Sequence, residues 1–94
     1  MSKFSVLMSI YCKESPEFFD IAMTSITLDQ DLKPNEIVLV KDGSLTTDLD
    51  EVINKWSRNL PGLKVISLDQ NVGLGDALKI GLDNCSNDLV ARMD

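Results

Sequence analysis

The sequence of 94 residues contains no histidine and only two cysteines. Without histidine, a His-ligated zinc site and a Ser/His/Asp triad cannot be built from this chain alone. Cys12 and Cys85 lie too far apart in sequence for a paired metal-binding motif, and we interpret them as free thiols of a reducing compartment. Long apolar runs are also missing, so we expect no membrane span, which needs roughly 18–20 apolar residues.

Basic residues are scarce as well. Nine Lys and Arg stand against 15 Asp and Glu, which gives a net charge of −6. Nucleic acids and anionic membranes bind clustered Lys and Arg, so this balance argues against both as main partners. The chain is otherwise ordinary for a soluble globular protein, with 44% apolar and 26% charged residues. Its length fits one compact domain.

Short apolar runs alternate with amphipathic stretches along the chain. Four of the runs are typical of buried strands: residues 4–11, 37–40, 63–68 and 88–93. Three stretches between them repeat apolar residues at helical spacing, with expected starts at Ser15-Pro16, Thr47 and Asn71–Gly75. Alternating strands and helices pair in parallel through right-handed crossovers. We therefore predict an α/β fold with a Rossmann-like parallel sheet of about four strands and helices on both faces.

The apolar stripes also predict core positions. We expect Met8, Met23 and Leu28 in the core, and Trp56 to pack on the stripe of the second helix rather than to stack on a ligand. The first helix should end near Asp29. Acidic residues at the start of the second helix suit the helix dipole, and we expect them on a solvated face rather than in a metal site: Asp48, Asp50 and Glu51.

Open parallel sheets bind ligands outside the carboxyl ends of their strands, near the point where the strand order reverses. That rule selects residues 11–14, 41–44 and 69–75, and the chain from Asp94 onward. Tyr11 at a strand end could stack on a planar ring, or it could simply close the core with its hydroxyl in water. Cys12 has no histidine partner that could activate it, so we interpret it as inert.

Two interpretations stay open for Asp42-Gly43-Ser44 and for Asn71–Gly75. The Asp42 carboxylate could accept hydrogen bonds from a base N–H or a ribose hydroxyl, but Asp, Gly and Ser are also common turn formers. Glycines at a helix start let phosphates approach the backbone amides, or they only relieve a tight turn. Gly73 and Gly75 follow the third strand rather than the first, so they are not a dinucleotide fingerprint, and the sequence has no phosphate loop of the GxxxxGK type.

Five segments, taken in order, resemble the motifs of family 2 glycosyltransferases with the GT-A fold. They are SVLMSIYC at 5–12, SITLDQD at 25–31, PNEIVLVKDGS at 34–44, NVGLGDALKIG at 71–81 and ARMD at 91–94. The resemblance covers essentially the whole chain, and five motifs in order are far more specific than one. It implies that residues 1–94 are the N-terminal, nucleotide-sugar-binding half of a GT-A domain that is truncated at its C-terminal end.

The resemblance also implies a donor site for a nucleotide-diphosphate sugar, usually a UDP-sugar. The residues implied around the base are Ser9, Tyr11 and Glu14, and Asp42 is implied to accept a hydrogen bond from the base. Asn71 and Gly73 are implied to lie beside the nucleotide. Three positions depart from the family pattern. Cys12 stands where Asn is usual, Lys41 stands where Asp often precedes Asp42, and Lys79 is the only basic residue near a position where several members carry Arg.

Asp94 matches the first acid of the family's Asp-x-Asp motif, which sits near the ribose and the metal. The implied cofactor is therefore a divalent metal, Mn or Mg, with Asp94 as an indirect contact. A cation would also bring the donor diphosphate to the carboxylates of an acidic protein. The second acid, the acceptor half and the general base are absent from these 94 residues. We thus expect no catalytic residue within the chain and no activity from it alone.

The implied reaction transfers a sugar from the donor to a glycan or lipid-linked glycan acceptor in cell-envelope or capsular polysaccharide synthesis. That setting implies a cytoplasmic location, at the inner face of the membrane through other parts of the protein. Two other classes compete. A receiver-like signalling domain would use Asp42 as phosphoacceptor, but it needs an acidic pair where this chain has Tyr11-Cys12-Lys13. A nucleotidyltransferase needs a Gly-rich basic loop at the same place.

Overall fold

Strands and helices alternate strictly in the computed structural model, which describes residues 3–28 and 33–93. The elements are β1 (Ser5–Ile10), α1 (Pro16–Thr27), β2 (Glu36–Lys41), α2 (Thr47–Asn59), β3 (Leu63–Ser67), α3 (Leu74–Asp83) and β4 (Val90–Met93). The expected end of the first helix, Asp29, lies outside the described residues. Within the described residues, no helix is long and apolar enough to cross a membrane.

All strand pairs of the four-stranded sheet are parallel, in the order β3-β2-β1-β4. The chain builds outward from β1 through β2 to β3, and then returns to place β4 on the other side of β1. The strand order therefore reverses beside β1, and the crevice for a ligand is expected there. The predicted α/β fold with a parallel sheet is confirmed.

The sheet carries an apolar cluster on each face, which confirms helices on both sides. One cluster joins α1 and α2 to the sheet, with Phe19 and Met23 from α1 and Leu49 and Ile53 from α2. The other joins Ala77 and Leu78 of α3 to the opposite face. Between them lie the four central residues of β2, all at most 2% exposed: Ile37, Val38, Leu39 and Val40. Burial on both faces explains why this strand reads as a continuous apolar run.

Leu28 is not in the core, contrary to the sequence-based expectation, because it is 66% exposed. The buried residues of α1 are Phe19, Met23 and Ile26, which step by four and three. Leu28 lies two residues beyond Ile26, and two residues turn an α-helix by about 200°. Its side chain therefore faces away from the sheet. Met8 and Met23 are buried as expected.

The helix starts follow side-chain capping. The Ser15 hydroxyl accepts from the backbone N–H of Phe18, as expected from Ser15-Pro16. The cap of α2 is Thr46 rather than the expected Thr47, because Thr46 is extended and its hydroxyl accepts from the Leu49 N–H at 3.2 Å. Asp50, expected on a solvated face, instead pairs with Lys41 at the end of β2, with 2.7 Å between Nζ and Oδ1.

A polar network around Glu36 lies at the amino edge of the sheet, where the parallel strands begin. Its Oε1 accepts from the Ser5 hydroxyl at 2.7 Å and from the Ser86 backbone N–H at 2.8 Å. Its Oε2 accepts from the Ser86 hydroxyl at 2.9 Å and pairs with Lys64 at 3.3 Å. The pKa of Glu36 is lowered from 4.5 to about 2. The hydrogen bond from the Ser86 N–H lowers it most, and burial of the carboxylate opposes the shift.

Gly81 and Gly75 of α3 form a matched pair for testing the packing of this helix. A Cβ on Gly81 would contact Leu7 Cδ1 and lie 2.8 Å from Val40 Cγ2, whereas a Cβ on Gly75 would meet no atom within 4 Å. We expect Gly81→Ala to lower the free energy of unfolding by about 1–3 kcal/mol through overpacking. Gly75→Ala should raise it by up to about 1 kcal/mol, because alanine favours helix. Urea denaturation measures both, and equal effects would contradict this packing.

The acid sensitivity of the fold should depend on Glu36. Because folding lowers its pKa from 4.5 to about 2, ionised Glu36 stabilises the fold fully above about pH 4.5. This contribution is lost as the pH falls through about 2. We expect Glu36→Gln to lose less of its free energy of unfolding between about pH 4.5 and pH 2 than the native chain does. Glu51→Gln, on the exposed face of α2, should lose as much as the native chain. Urea denaturation at several pH values tests this, and parallel profiles for the three chains would refute it.

Candidate functional site

A cavity of about 410 Å³ opens at the carboxyl edge of the sheet, where the strand order reverses. Its lining is Ser9, Tyr11, Glu14, Asp42, Asn71, Gly73, Leu74 and Met93. The structure thus brings together all six predicted nucleotide-binding residues that it describes. The seventh predicted residue, Asp94, lies outside the described residues.

Asp42 is the buried polar group of this cavity and is only 4% exposed. It follows β2 directly, and both of its carboxylate oxygens accept from the turn before α3. Oδ1 accepts from the Val72 N–H at 2.7 Å, and Oδ2 accepts from the Gly73 N–H at 3.1 Å. The Asn71 side chain donates to the Asp42 carbonyl oxygen at 3.3 Å. The carboxylate therefore fixes the turn that forms one wall of the cavity.

Two glycines with positive φ shape the loops that meet at Asp42. Gly43 has φ +88°, and a Cβ there would lie 2.9 Å from the Asn71 backbone nitrogen. Gly73 caps α3 with φ +92°, although a Cβ there would meet no atom within 4 Å. Gly43 is thus required by both conformation and space, whereas Gly73 is required by conformation. Turn geometry accounts for both glycines, and it leaves the α3 amino end open toward the cavity.

The turn after β1 supplies the opposite wall. The Glu14 N–H donates to the Tyr11 carbonyl oxygen at 3.1 Å, and both residues line the cavity. Tyr11 is 41% exposed. Ser9 is half-buried beside it. Cys12 is exposed and is not among the residues that line the cavity.

Two apolar residues complete the lining: Leu74 lies within the segment 69–75 that the sequence selected, whereas Met93 was missed by sequence reasoning. Leu74 is the first residue of α3 and directly follows Gly73. Met93 pairs in register with Met8, which directly precedes Ser9. Once β4 is placed beside β1, this register brings Met93 to the cavity, so the strand order was the signal that could have found it.

The described residues contain no cluster of three or more Asp, Glu, His or Cys side chains that could hold a metal ion. Glu14 and Asp42 are the carboxylates that line the cavity, and the oxygens of Asp42 already accept from two amides. The residues described here therefore fit a metal only as a partial shell. Further carboxylates would have to come from Asp94 and beyond.

Fold and cavity together define a Rossmann-like α/β domain with a cavity at the switch point of the sheet, which is where domains of this class bind ligands. Residues 5–94 match the family described as Glycosyl transferase family 2. The chain belongs to this family of glycosyltransferases, and the predicted resemblance is confirmed.

Curated bacterial relatives match nearly all of the chain. One from Escherichia coli, named UDP-Gal:alpha-D-GlcNAc-diphosphoundecaprenol beta-1,3-galactosyltransferase, is 46% identical over 98% of the chain. The amylovoran biosynthesis glycosyltransferase AmsE of Erwinia amylovora is 45% identical over 97% of the chain. The chain spans about a third of the length of these relatives, 33% and 34% respectively.

Solved structures show the same fold. A crystal structure of residues 1–349 of S. aureus TarS superposes with a TM-score of 0.75 at 28% identity, covering 98% of this chain and 27% of that one. The same protein in complex with UDP gives a TM-score of 0.69 at 26% identity, again over 98% and 27%. A mannosyltransferase from Pyrobaculum calidifontis, in complex with GDP-Man and Mn2+, shares the fold at 20% identity, with a TM-score of 0.73 over 94% and 26%.

Replacing Asp42 should destabilise the turn before α3. Asp42→Ala leaves the N–H groups of Val72 and Gly73 without their acceptor, and we expect a loss of about 2–3 kcal/mol in the free energy of unfolding. Asp69→Ala removes an exposed carboxylate that precedes the same turn and should cost less than about 0.5 kcal/mol. Urea denaturation measures the stability, and hydrogen exchange follows the two amides. Unchanged protection of both amides in Asp42→Ala would contradict the role of the carboxylate.

Proposed function

We propose that this chain is the donor-binding part of a glycosyltransferase that transfers a sugar from a UDP-sugar to a glycan or lipid-linked glycan acceptor. The observation that carries the proposal is the cavity at the carboxyl edge, lined by the six described residues that the family resemblance implies for the nucleotide. The names of the relatives support a UDP-sugar donor and a setting in polysaccharide synthesis, because they include a UDP-Gal transferase and an amylovoran enzyme. A TarS structure in complex with UDP supports the same donor class.

The nucleotide base would lie between the two walls of the cavity. Tyr11 lines the cavity and is partly exposed, which suits stacking of its ring on a pyrimidine. The Asp42 oxygens each use one acceptor position for a backbone amide, and each oxygen has a second one. Asp42 can therefore accept from a base N–H while it still holds the turn. Asn71 and Gly73 would border the nucleotide beside the amino end of α3, whose dipole favours anions.

A divalent cation, Mn or Mg, would complete the site through Asp94 and carboxylates beyond it. When bound, the cation neutralises the donor diphosphate and stabilises it as a leaving group. The residues described here orient the nucleotide and hold its cavity in shape. Because the chain spans about a third of the length of its curated relatives, we expect no transfer by the 94-residue chain alone. The full-length protein would act in the cytoplasm, at the inner face of the membrane, in cell-envelope or capsular polysaccharide synthesis.

A receiver-like signalling role for Asp42 is the less favoured alternative. A receiver domain needs an acidic pair after its first strand to bind magnesium, and this chain has Tyr11-Cys12-Lys13 there. Acetyl phosphate labelling of Asp42 would revive this alternative. A nucleotidyltransferase would need a Gly-rich basic loop after β1, and this chain has Lys13-Glu14-Ser15-Pro16 there.

Binding of UDP tests the donor site directly. We expect isothermal titration to detect UDP binding by the chain, stronger with manganese than without it, because unscreened carboxylates repel the diphosphate. Tyr11→Ala should weaken UDP binding by about tenfold or more through loss of ring stacking, whereas Tyr11→Phe should bind like the native chain. No binding with manganese present, or equal affinity of Tyr11→Ala, would count against the site.

The activity is tested on the full-length protein and on the 94-residue chain. Thermal shift of the full-length protein against a panel of nucleotide sugars, with and without manganese, should identify the donor. The 94-residue chain should release no UDP from that donor in the presence of an acceptor. Turnover by the short chain would overturn the expectation that it is inactive alone.

A further inference from the structure

The strand β4 is short and lies at the edge of the described sheet. It has four residues, of which Val90 and Met93 are half-buried while Ala91 and Arg92 are exposed. Its strand partner in the described sheet is β1. Val90 packs against the cluster on the α3 face and Met93 against the cluster on the α1 face, so a slip of one residue would turn each side chain to the other face.

The register of β4 decides what lines the cavity. Met93 stands opposite Met8, packs against the core cluster on the α1 face and lines the cavity wall. Its neighbour Arg92 stands opposite Leu7, whose side chain belongs to the α3 face. A slip of one residue would therefore move Met93 away and bring a different side chain to the cavity wall.

Polar anchors fix the segment that leads into β4. The Ser86 backbone N–H and hydroxyl both donate to Glu36, at 2.8 and 2.9 Å. The Asn87 amide donates to the Ser5 hydroxyl at 2.9 Å and to the Asn35 side-chain oxygen at 2.8 Å. The Ser5 N–H then donates to the Leu89 carbonyl oxygen at 2.9 Å, which begins the pairing of β4 with β1.

We infer that Glu36 is a positioning residue for the donor cavity, because its bonds to Ser86 set the register of β4 and so place Met93 in the cavity wall. The carboxylate fits this role, since its four acceptor positions are filled by Ser5, both groups of Ser86 and Lys64. Glu36 acts from the amino edge, about 20 Å from the cavity along a six-residue strand. The effect on the donor rests on the proposed function; the effect on register does not.

The test compares Glu36→Gln with two control variants. Lys64→Met removes the ion pair with Glu36 and the bond from Lys64 to the Asn84 carbonyl oxygen at 2.9 Å, but it leaves the bonds of Glu36 to Ser5 and Ser86 in place. Trp56→Phe removes the bond from the indole N–H to Asp20 at 2.8 Å, which links α1 and α2 and involves no residue of β4 or of its polar anchors. Asn87→Ala, on the surface side of the anchor, serves as a second test variant in case Glu36→Gln folds poorly.

The first readout follows register without any ligand. With 13C-methyl methionine, the Met93 signal should shift or broaden in Glu36→Gln and in Asn87→Ala, and hydrogen exchange in β4 should accelerate. The signal of Met23, which is fully buried on α1, should stay in place. The two controls should leave Met93 unchanged. An unchanged Met93 signal in a folded Glu36→Gln chain would overturn the inference.

The second readout is UDP affinity in the presence of manganese. We expect about tenfold weaker binding by Glu36→Gln and near-native binding by Trp56→Phe, even where both lose equal thermal stability. Equal losses of affinity in both variants would mean that Glu36 acts only through stability. If the native chain binds no UDP, the proposed donor site fails, while the Met93 signal still decides whether Glu36 sets the register.

Discussion

Two carboxylates, one at each end of β2, accept hydrogen bonds from backbone N–H groups and so hold the helix α3 on the sheet. The cavity depends on these bonds. Side chains alternate along a strand, so Glu36 and Asp42 project toward the same face as α3. Asp42 accepts from the N–H groups of Val72 and Gly73 just before the helix, and Glu36 accepts from the Ser86 N–H just after it. One strand thus fixes both connections of one helix.

The apolar middle of the same strand face explains why the charged ends matter. Val38 and Val40 pack with Ala77 and Leu78, and this contact alone is non-directional. A carboxylate that accepts a backbone N–H is directional and stronger than a neutral bond, and an unpaired one would be costly to bury. Apolar packing therefore supplies most of the attraction, while Glu36 and Asp42 supply the position.

Much of the fold followed from local pattern, because each strand and helix is encoded within a few residues. The alternation of buried runs and helical stripes predicted a parallel sheet, and the switch-point rule led to the lining residues. What the pattern missed depends on partners distant in sequence, or on where a side chain lies around the helix axis. Asp42 meets amides 30 residues away, and Met93 enters the cavity only through the register with Met8. Leu28 continues an apolar helix but falls outside its buried arc.

The electrostatics of the cavity follow from the same geometry. Lys41 follows Val40 in β2 and turns to the α2 face, where its ammonium pairs with Asp50. Among the eight described lining residues, Glu14 and Asp42 are acidic and none is basic. A diphosphate placed here would meet attraction only from the amino end of α3, a partial charge of about half a unit. The charge of the described lining therefore opposes a diphosphate, and a cation of the proposed kind would offset that repulsion.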